Sequence, residues 1–384
     1  GRFGGGLGGR RAGRQLRHDL SFSLPLAQAE CEFLTGDTAA AEARLTTLSS
    51  RAANSIDRAT VACLSIDLYT TLDRSDRAVE VCLAYLRHLG IDWPAHPPEE
   101  VVRREYDRMW LLIGKREIEE LIDLPLMSDP RSIATLDVLT KAQVPASFTD
   151  ANLFSLLLWK IVNLSLEHGN TDASCQAYGH IGRIVGPRFG DYGAGVRFAQ
   201  LGYDLVERRG LKRFQARTYL GYAVSSVSWT HFRVARDLMR RALDVANSTG
   251  DVTYAAFSRH HLVANLLAAG DPLFDVQCEA ERAREFARKA RFGLESDVVA
   301  GQLALVRTLR GSTPTFGRFD DANFNETEFE RRISSDPRLV FAACWYWIRK
   351  LQARFFAGDY AAALAASSNA QRLLWTPPSF FRTA

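Results

Sequence analysis

The densest group of side chains able to recognise another molecule is Trp345, Trp347, Arg349 and Lys350, with Tyr346 between the tryptophans. Indole faces attract cations, so such a group can hold a peptide or a charged ligand. Neighbouring residues of a helix point in different directions, which leaves two readings open. The four residues form a candidate interaction surface, or the tryptophans fill a core. Arg349 and Lys350 are expected to be the more exposed members.

Other chemistry is imitated. Gly4 to Gly9 matches GxGxxG, but no strand pattern precedes it, so it reads as low-complexity tail. Asp321, Asn323 and Asn325 resemble the start of a calcium loop. Glu326 then stands where the sharp turn needs glycine, and Arg332 where a bidentate acid is needed. Asn325 reads instead as a helix cap, with Glu328 three residues on. His260 and His261 are adjacent and point about 100° apart on a helix, which suits surface or half-buried positions better than a shared metal. Glu117, Glu119 and Glu120 read as a solvated helix face. Cys31, Cys63, Cys82, Cys175, Cys278 and Cys344 include no CxxC pair and no histidine at metal spacing. They read as small buried hydrophobes of a reducing compartment. GxxxxGK[ST], HExxH and GxSxG are absent. No catalytic, cofactor-binding or metal-ligating residue is nominated, and the chain itself is not expected to be an enzyme.

Charge excludes another class. The net charge of the 384 residues is +4, and Arg2, Arg10, Arg11, Arg14 and Arg17 lie in a start that has no acid. The remainder is close to neutral, so nucleic acid is not an expected partner. The most apolar stretch, Leu153 to Leu166, contains Lys160 and Asn163, so no membrane span is expected. Gly1 to Arg17 has no apolar segment of the kind a signal peptide needs, which points to a cytoplasmic location.

The elements that would position such residues are helices. Ala, Leu, Arg and Glu are abundant, and the 13 prolines are bunched. Gly-Asp recurs at 36–37, 190–191, 250–251, 270–271 and 358–359, with Gly-Asn at 169–170. Glycine ends one helix in a left-handed conformation, and the acid or amide that follows caps the next. Breaks at Gly169, Gly190, Gly210, Thr230, Gly250 and Gly270 are roughly 20 residues apart, which gives helix pairs a little longer than the 34 residues of a tetratricopeptide repeat. The expected fold is all-α, an α-solenoid of antiparallel helix-pair repeats. Its parts are an irregular tail over 1–18, helix pairs over 19–91 and a less regular helical connector over 92–150, with shorter helices such as Pro98 to Ile113 and Arg116 to Ile122. An array over 151–310, a polar insert over 311–336 and a terminal pair over 337–384 follow.

Several segments carry a resemblance. They are ECEFLTGD from Glu30, FTDANLFSLLLWKIVNLSLEHGNTDASCQAY from Phe148, RFGDY from Arg188 and GDVTYAA from Gly250. LRGSTPTFGRFDD from Leu309, ACWYWIRKLQARFFAGDYAAAL from Ala343 and LLWTPPSFF from Leu373 complete the set. Together they resemble the tetratricopeptide-like region of large bacterial multidomain signalling kinases. There a serine/threonine kinase and a STAND-type AAA+ ATPase precede the helical region, and GAF and sensor histidine kinase domains follow it. The resemblance implies a regulatory region whose partners are the ATPase and kinase domains of its own polypeptide and an unidentified protein, peptide or small-molecule effector. It implies no cofactor here and a chain that is part of a longer one. A free-standing peptide-binding adaptor and the repeat region of a STAND-type transcriptional regulator are the alternatives.

Overall fold

The structure, a computed structural model, describes the backbone of residues 6–226 and 232–374, and their side chains from residue 21 onward. The helices are α1 (Gly6–Thr35), α2 (Thr38–Arg51), α3 (Ser55–Thr71), α4 (Ser75–His88), α5 (Glu99–Ile113) and α6 (Pro130–Thr149). They continue as α7 (Ala151–His168), α8 (Asp172–Phe189), α9 (Tyr192–Arg209), α10 (Gln215–Ser226), α11 (Phe232–Thr249) and α12 (Val252–Ala268). The last are α13 (Leu273–Lys289), α14 (Gly293–Leu309), α15 (Glu326–Ser335), α16 (Val340–Phe356) and α17 (Tyr360–Gln371). Among the described residues the β-structure is limited to two isolated bridges, so the all-α class of packed helix pairs holds.

The glycine punctuation works as the sequence implies. Gly36, Gly190, Gly210, Gly250, Gly270 and Gly358 all have positive φ. Asp37, Asp191, Asp251 and Asp359 each accept the N–H three residues on and so cap the next helix. Two positions differ. Asp271 pairs with Arg236, and Pro272 stands at the start of α13. Asn170 also caps nothing: its amide donates to the Leu121 carbonyl at 2.8 Å, and Thr171 caps α8. Here residues 125–127 run against Gly169 and Asn170, and a Cβ on Gly169 would lie 2.2 Å from the Pro125 oxygen. The break expected at Thr230 lies outside the described residues.

Two compact units divide the chain: residues 1–95 with 129–145, and residues 96–128 with 146–384. In the first, Ala29, Ala41, Leu45, Leu48, Val61 and Leu68 form the core of α1, α2 and α3. Tyr85 and Lys141 tie α4 and α6 in through Thr135 at 3.0 Å and Asp67 at 2.7 Å. In the second, helix chemistry sorts the pairs. Helix α11 buries a single stripe, Ala235, Met239, Ala242 and Ala246, as an amphipathic outer helix does. Helices α8, α12 and α14 are buried over most of their surface and carry the core. Small residues let α8 and α9 approach closely: a Cβ on Gly202 would meet the Cys175 carbonyl oxygen at 2.5 Å.

Three expectations need correction. Helix α1 begins at Gly6, within the stretch read as irregular tail. In the connector, α5 lies where a helix over Pro98 to Ile113 was expected, but beyond the shorter helices expected there runs the 20-residue α6, which accommodates Pro130 at its start and Pro145 within it. Among the cysteines, Cys31 is exposed and Cys63 and Cys278 half-buried; Cys82, Cys175 and Cys344 are the buried ones.

Candidate functional site: a groove across three helices

In the first unit, α2 and α4 flank a face of α3 and leave a groove of about 340 Å³ between them. That size is at the lower end for ligand sites. Arg58, Val61, Ala62, Ser65, Leu68 and Tyr69 recur at helical spacing along α3 and make its floor. Leu45, Thr46 and Ser49 of α2 form one wall, and Val81, Ala84 and Tyr85 of α4 the other.

The two ends differ in charge. At one, Glu42 accepts the Tyr69 hydroxyl at 2.9 Å and pairs with Arg74 at 3.4 Å. Burial first, and then the Glu42 carboxylate, raise the Tyr69 phenol above its usual range, so it stays a donor. At the other end, Arg58 Nη1 meets His88 Nε2 at 2.9 Å. A guanidinium only donates, so this contact requires His88 Nε2 to be the acceptor. Along α3 the two ends are about 16 Å apart at 1.5 Å per residue. The groove can therefore take an elongated apolar segment with a charged group at one end.

The residues singled out in sequence lie elsewhere. Trp345 is 1% and Arg349 3% exposed, so the surface expected of Trp345, Trp347, Arg349 and Lys350 does not exist as such. Trp345 packs on His260 at 5.2 Å between ring centroids, and the Arg349 guanidinium lies over the Trp345 ring. Burial lowers the Arg349 pKa to about 9. Trp347 and Lys350 are half-buried, and Lys350 reaches Glu326 at 2.6 Å and also Glu330. The basic pair therefore belongs to internal structure. One turn of helix carries Trp345 and Arg349 inward together.

His260 is also corrected: it is 1% exposed, and its Nδ1 lies 2.5 Å from Glu295 Oε2. Glu295 is 1% exposed and its Oε1 has no hydrogen-bond partner, nor has His260 Nε2. Around this pair, burial keeps His180 and His261 well below the usual histidine range, helped by the nearby Arg183 charge. Asn325 caps α15 by accepting Glu328 N–H at 2.8 Å, as its position implied. Asp321 pairs with Arg307 at 3.0 Å, and no cluster of three potential metal ligands occurs among the described residues. Glu117 and Glu119 are exposed and both hold Arg197, at 2.6 and 2.5 Å.

Sequence reasoning missed the groove. Arg58, His88, Glu42 and Tyr69 come from three helices, and each alone looks like an ordinary surface position. The available signal was the polar interruption of α3, with Arg58 and Ser65 on the stripe that otherwise carries Val61, Ala62 and Leu68.

Over 278 residues, 67% of this chain, the sequence is 20% identical to part of "Hybrid signal transduction histidine kinase G" of Dictyostelium discoideum. The chain spans only 8% of that relative's length. No protein-family model matches. No described helix is long and apolar enough to cross a membrane.

Proposed function

We propose that this chain is the regulatory and protein-interaction helical region of a signal-transduction kinase. It receives a partner or effector and passes that event to catalytic domains of the same polypeptide. The observation that carries the reading is the 278-residue similarity to part of a histidine kinase, within a chain built of packed helix pairs. Packed pairs suit the task, because such elements offer grooves between helices and transmit displacement through neighbouring contacts. The groove over α3 is the docking site in this reading. The catalytic partners proposed are a STAND-type ATPase and a serine/threonine or histidine kinase. This chain contributes recognition and no catalytic residue.

Two experiments test it. An antibody raised against Phe148 to Tyr178 should detect a polypeptide far larger than 42.8 kDa in the source cell. Deletion of residues 19–374 from that polypeptide should change how its kinase output is regulated. A native band near 42.8 kDa, or regulation unaltered by the deletion, overturns the proposal.

A further inference from the structure

Resting on the docking role given above to the groove, the geometry points to its occupant. We propose that it binds a short peptide in which one or two apolar side chains adjoin an aspartate or glutamate. The acidic side chain pairs with Arg58.

The argument is one of charge and shape. The two ends are not equivalent. Glu42 is already satisfied by Tyr69 and Arg74. Arg58 is half-buried at the groove lining, and its guanidinium meets the His88 imidazole. Among the described residues no ion pair engages it, whereas other half-buried arginines such as Arg44, Arg217 and Arg236 each have a carboxylate. A guanidinium has five donors in a planar fork that matches a carboxylate. An entering carboxylate can take the unused part of the fork and leave the imidazole contact in place.

The rest of the groove selects what accompanies the acid. Its floor beyond Arg58 is Val61, Ala62, Ser65 and Leu68, packed to 0–8% exposure, and the half-buried Val81 and exposed Ala84 of the α4 wall present apolar surface beside it. The volume of about 340 Å³ accommodates a few side chains and no domain. Thr46 and Ser49 on the α2 wall are small and polar, which suits a peptide backbone passing over the rim. A basic peptide would place its charge against Arg58, and a wholly apolar one would leave the fork facing a desolvated neighbour.

The test uses the whole chain. Random twelve-residue peptides displayed on phage are selected against it, and enriched sequences are synthesised with a fluorophore for anisotropy titration. Enrichment of Asp or Glu beside Leu, Ile, Val or Phe is expected. Arg58→Glu should weaken those peptides at least about tenfold, since a charge-assisted pair is lost and a repulsion is added. The same peptides with their acid changed to lysine should regain affinity for Arg58→Glu. Arg58→Gln serves as a milder variant, and circular dichroism verifies that each variant is folded. Ala84→Trp, at an exposed position of the α4 wall, fills the groove and should abolish binding. Peptides blocked by Ala84→Trp but indifferent to Arg58→Glu overturn the acidic-peptide inference and leave the docking role standing. No enrichment, or binding indifferent to Ala84→Trp, overturns both.

Discussion

Replacing Glu326 by glutamine tests how the 311–336 insert is fastened. Glu326 opens α15 and is 5% exposed. It meets Lys350 at 2.6 Å, the Arg354 guanidinium, and the Phe319 N–H at 2.9 Å. Burial alone would raise its pKa, but the Lys350 hydrogen bond, the Phe319 amide and the two positive charges outweigh burial and lower it. Glutamine keeps the shape and removes the charge. Arg354, itself 7% exposed, then loses its carboxylate, while Lys350 keeps Glu330. Breaking a buried pair costs about 3–5 kcal/mol, and the retained Glu330 places this case near 3. A change of about 3 kcal/mol is about a hundredfold in a local opening equilibrium. Native-state hydrogen exchange reads it directly, at the amides of Phe329 to Ile333 and Ala342 to Ala353. Protection there should fall about a hundredfold, while the amides of α2 to α4 stay unchanged. Glu328→Gln, at an exposed position of the same turn, is the control and should change protection less than about threefold. Adding Arg354→Met to Glu326→Gln should recover part of the loss, because the stranded cation is removed. A loss below about tenfold, or one equal to the control, would refute the reasoning.

Acid should destabilise the second unit in two stages. The folded pKa values of His180 and His261 are lowered by burial, so below about pH 6.5 the unfolded chain takes up protons that the folded one does not. Stability falls as pH drops, by up to about 1.4 kcal/mol per pH unit for each histidine; urea midpoints independent of pH between 7.5 and 5.5 would contradict this. Glu326 has a depressed folded pKa, so its contribution is complete above about pH 4.3 and disappears as pH falls through the lower folded value. Glycines of α9 should respond with opposite signs. Gly202→Ala would force a Cβ to within 2.5 Å of the Cys175 oxygen and is expected to destabilise by about 1–3 kcal/mol. Gly193→Ala meets nothing closer than 3.7 Å and should stabilise by up to about 1 kcal/mol. Equal effects in thermal melts would discount the close α8–α9 approach. Trp345→Ala empties a core position beside His260 and Phe341 and should cost about 3–5 kcal/mol; a surface residue would cost under 0.5.

The helices and their ends were legible because the signals are local. A left-handed glycine followed by Asp37, Asp191, Asp251 or Asp359 needs only its own turn to stop one helix and cap the next. Asn170 and Asp271 look the same in sequence and do otherwise, because each has a stronger distant partner: the Leu121 carbonyl and the Arg236 guanidinium. The same limit governs the basic and aromatic cluster. Residue types alone placed Arg349 and Lys350 outside. Only packing shows that Arg349 is buried over the Trp345 ring, and that Lys350 is drawn in by Glu326 and Glu330 from a helix some 20 residues earlier. His260 could not be read as buried until Glu295, 35 positions on, was seen against it. Sequence by itself determined the helix breaks at Gly36, Gly190, Gly250 and Gly358, since each depends only on residues within a turn of it. The tertiary structure decided which charges meet and where α2 and α4 leave a face of α3 uncovered, because these depend on how separate helices pack.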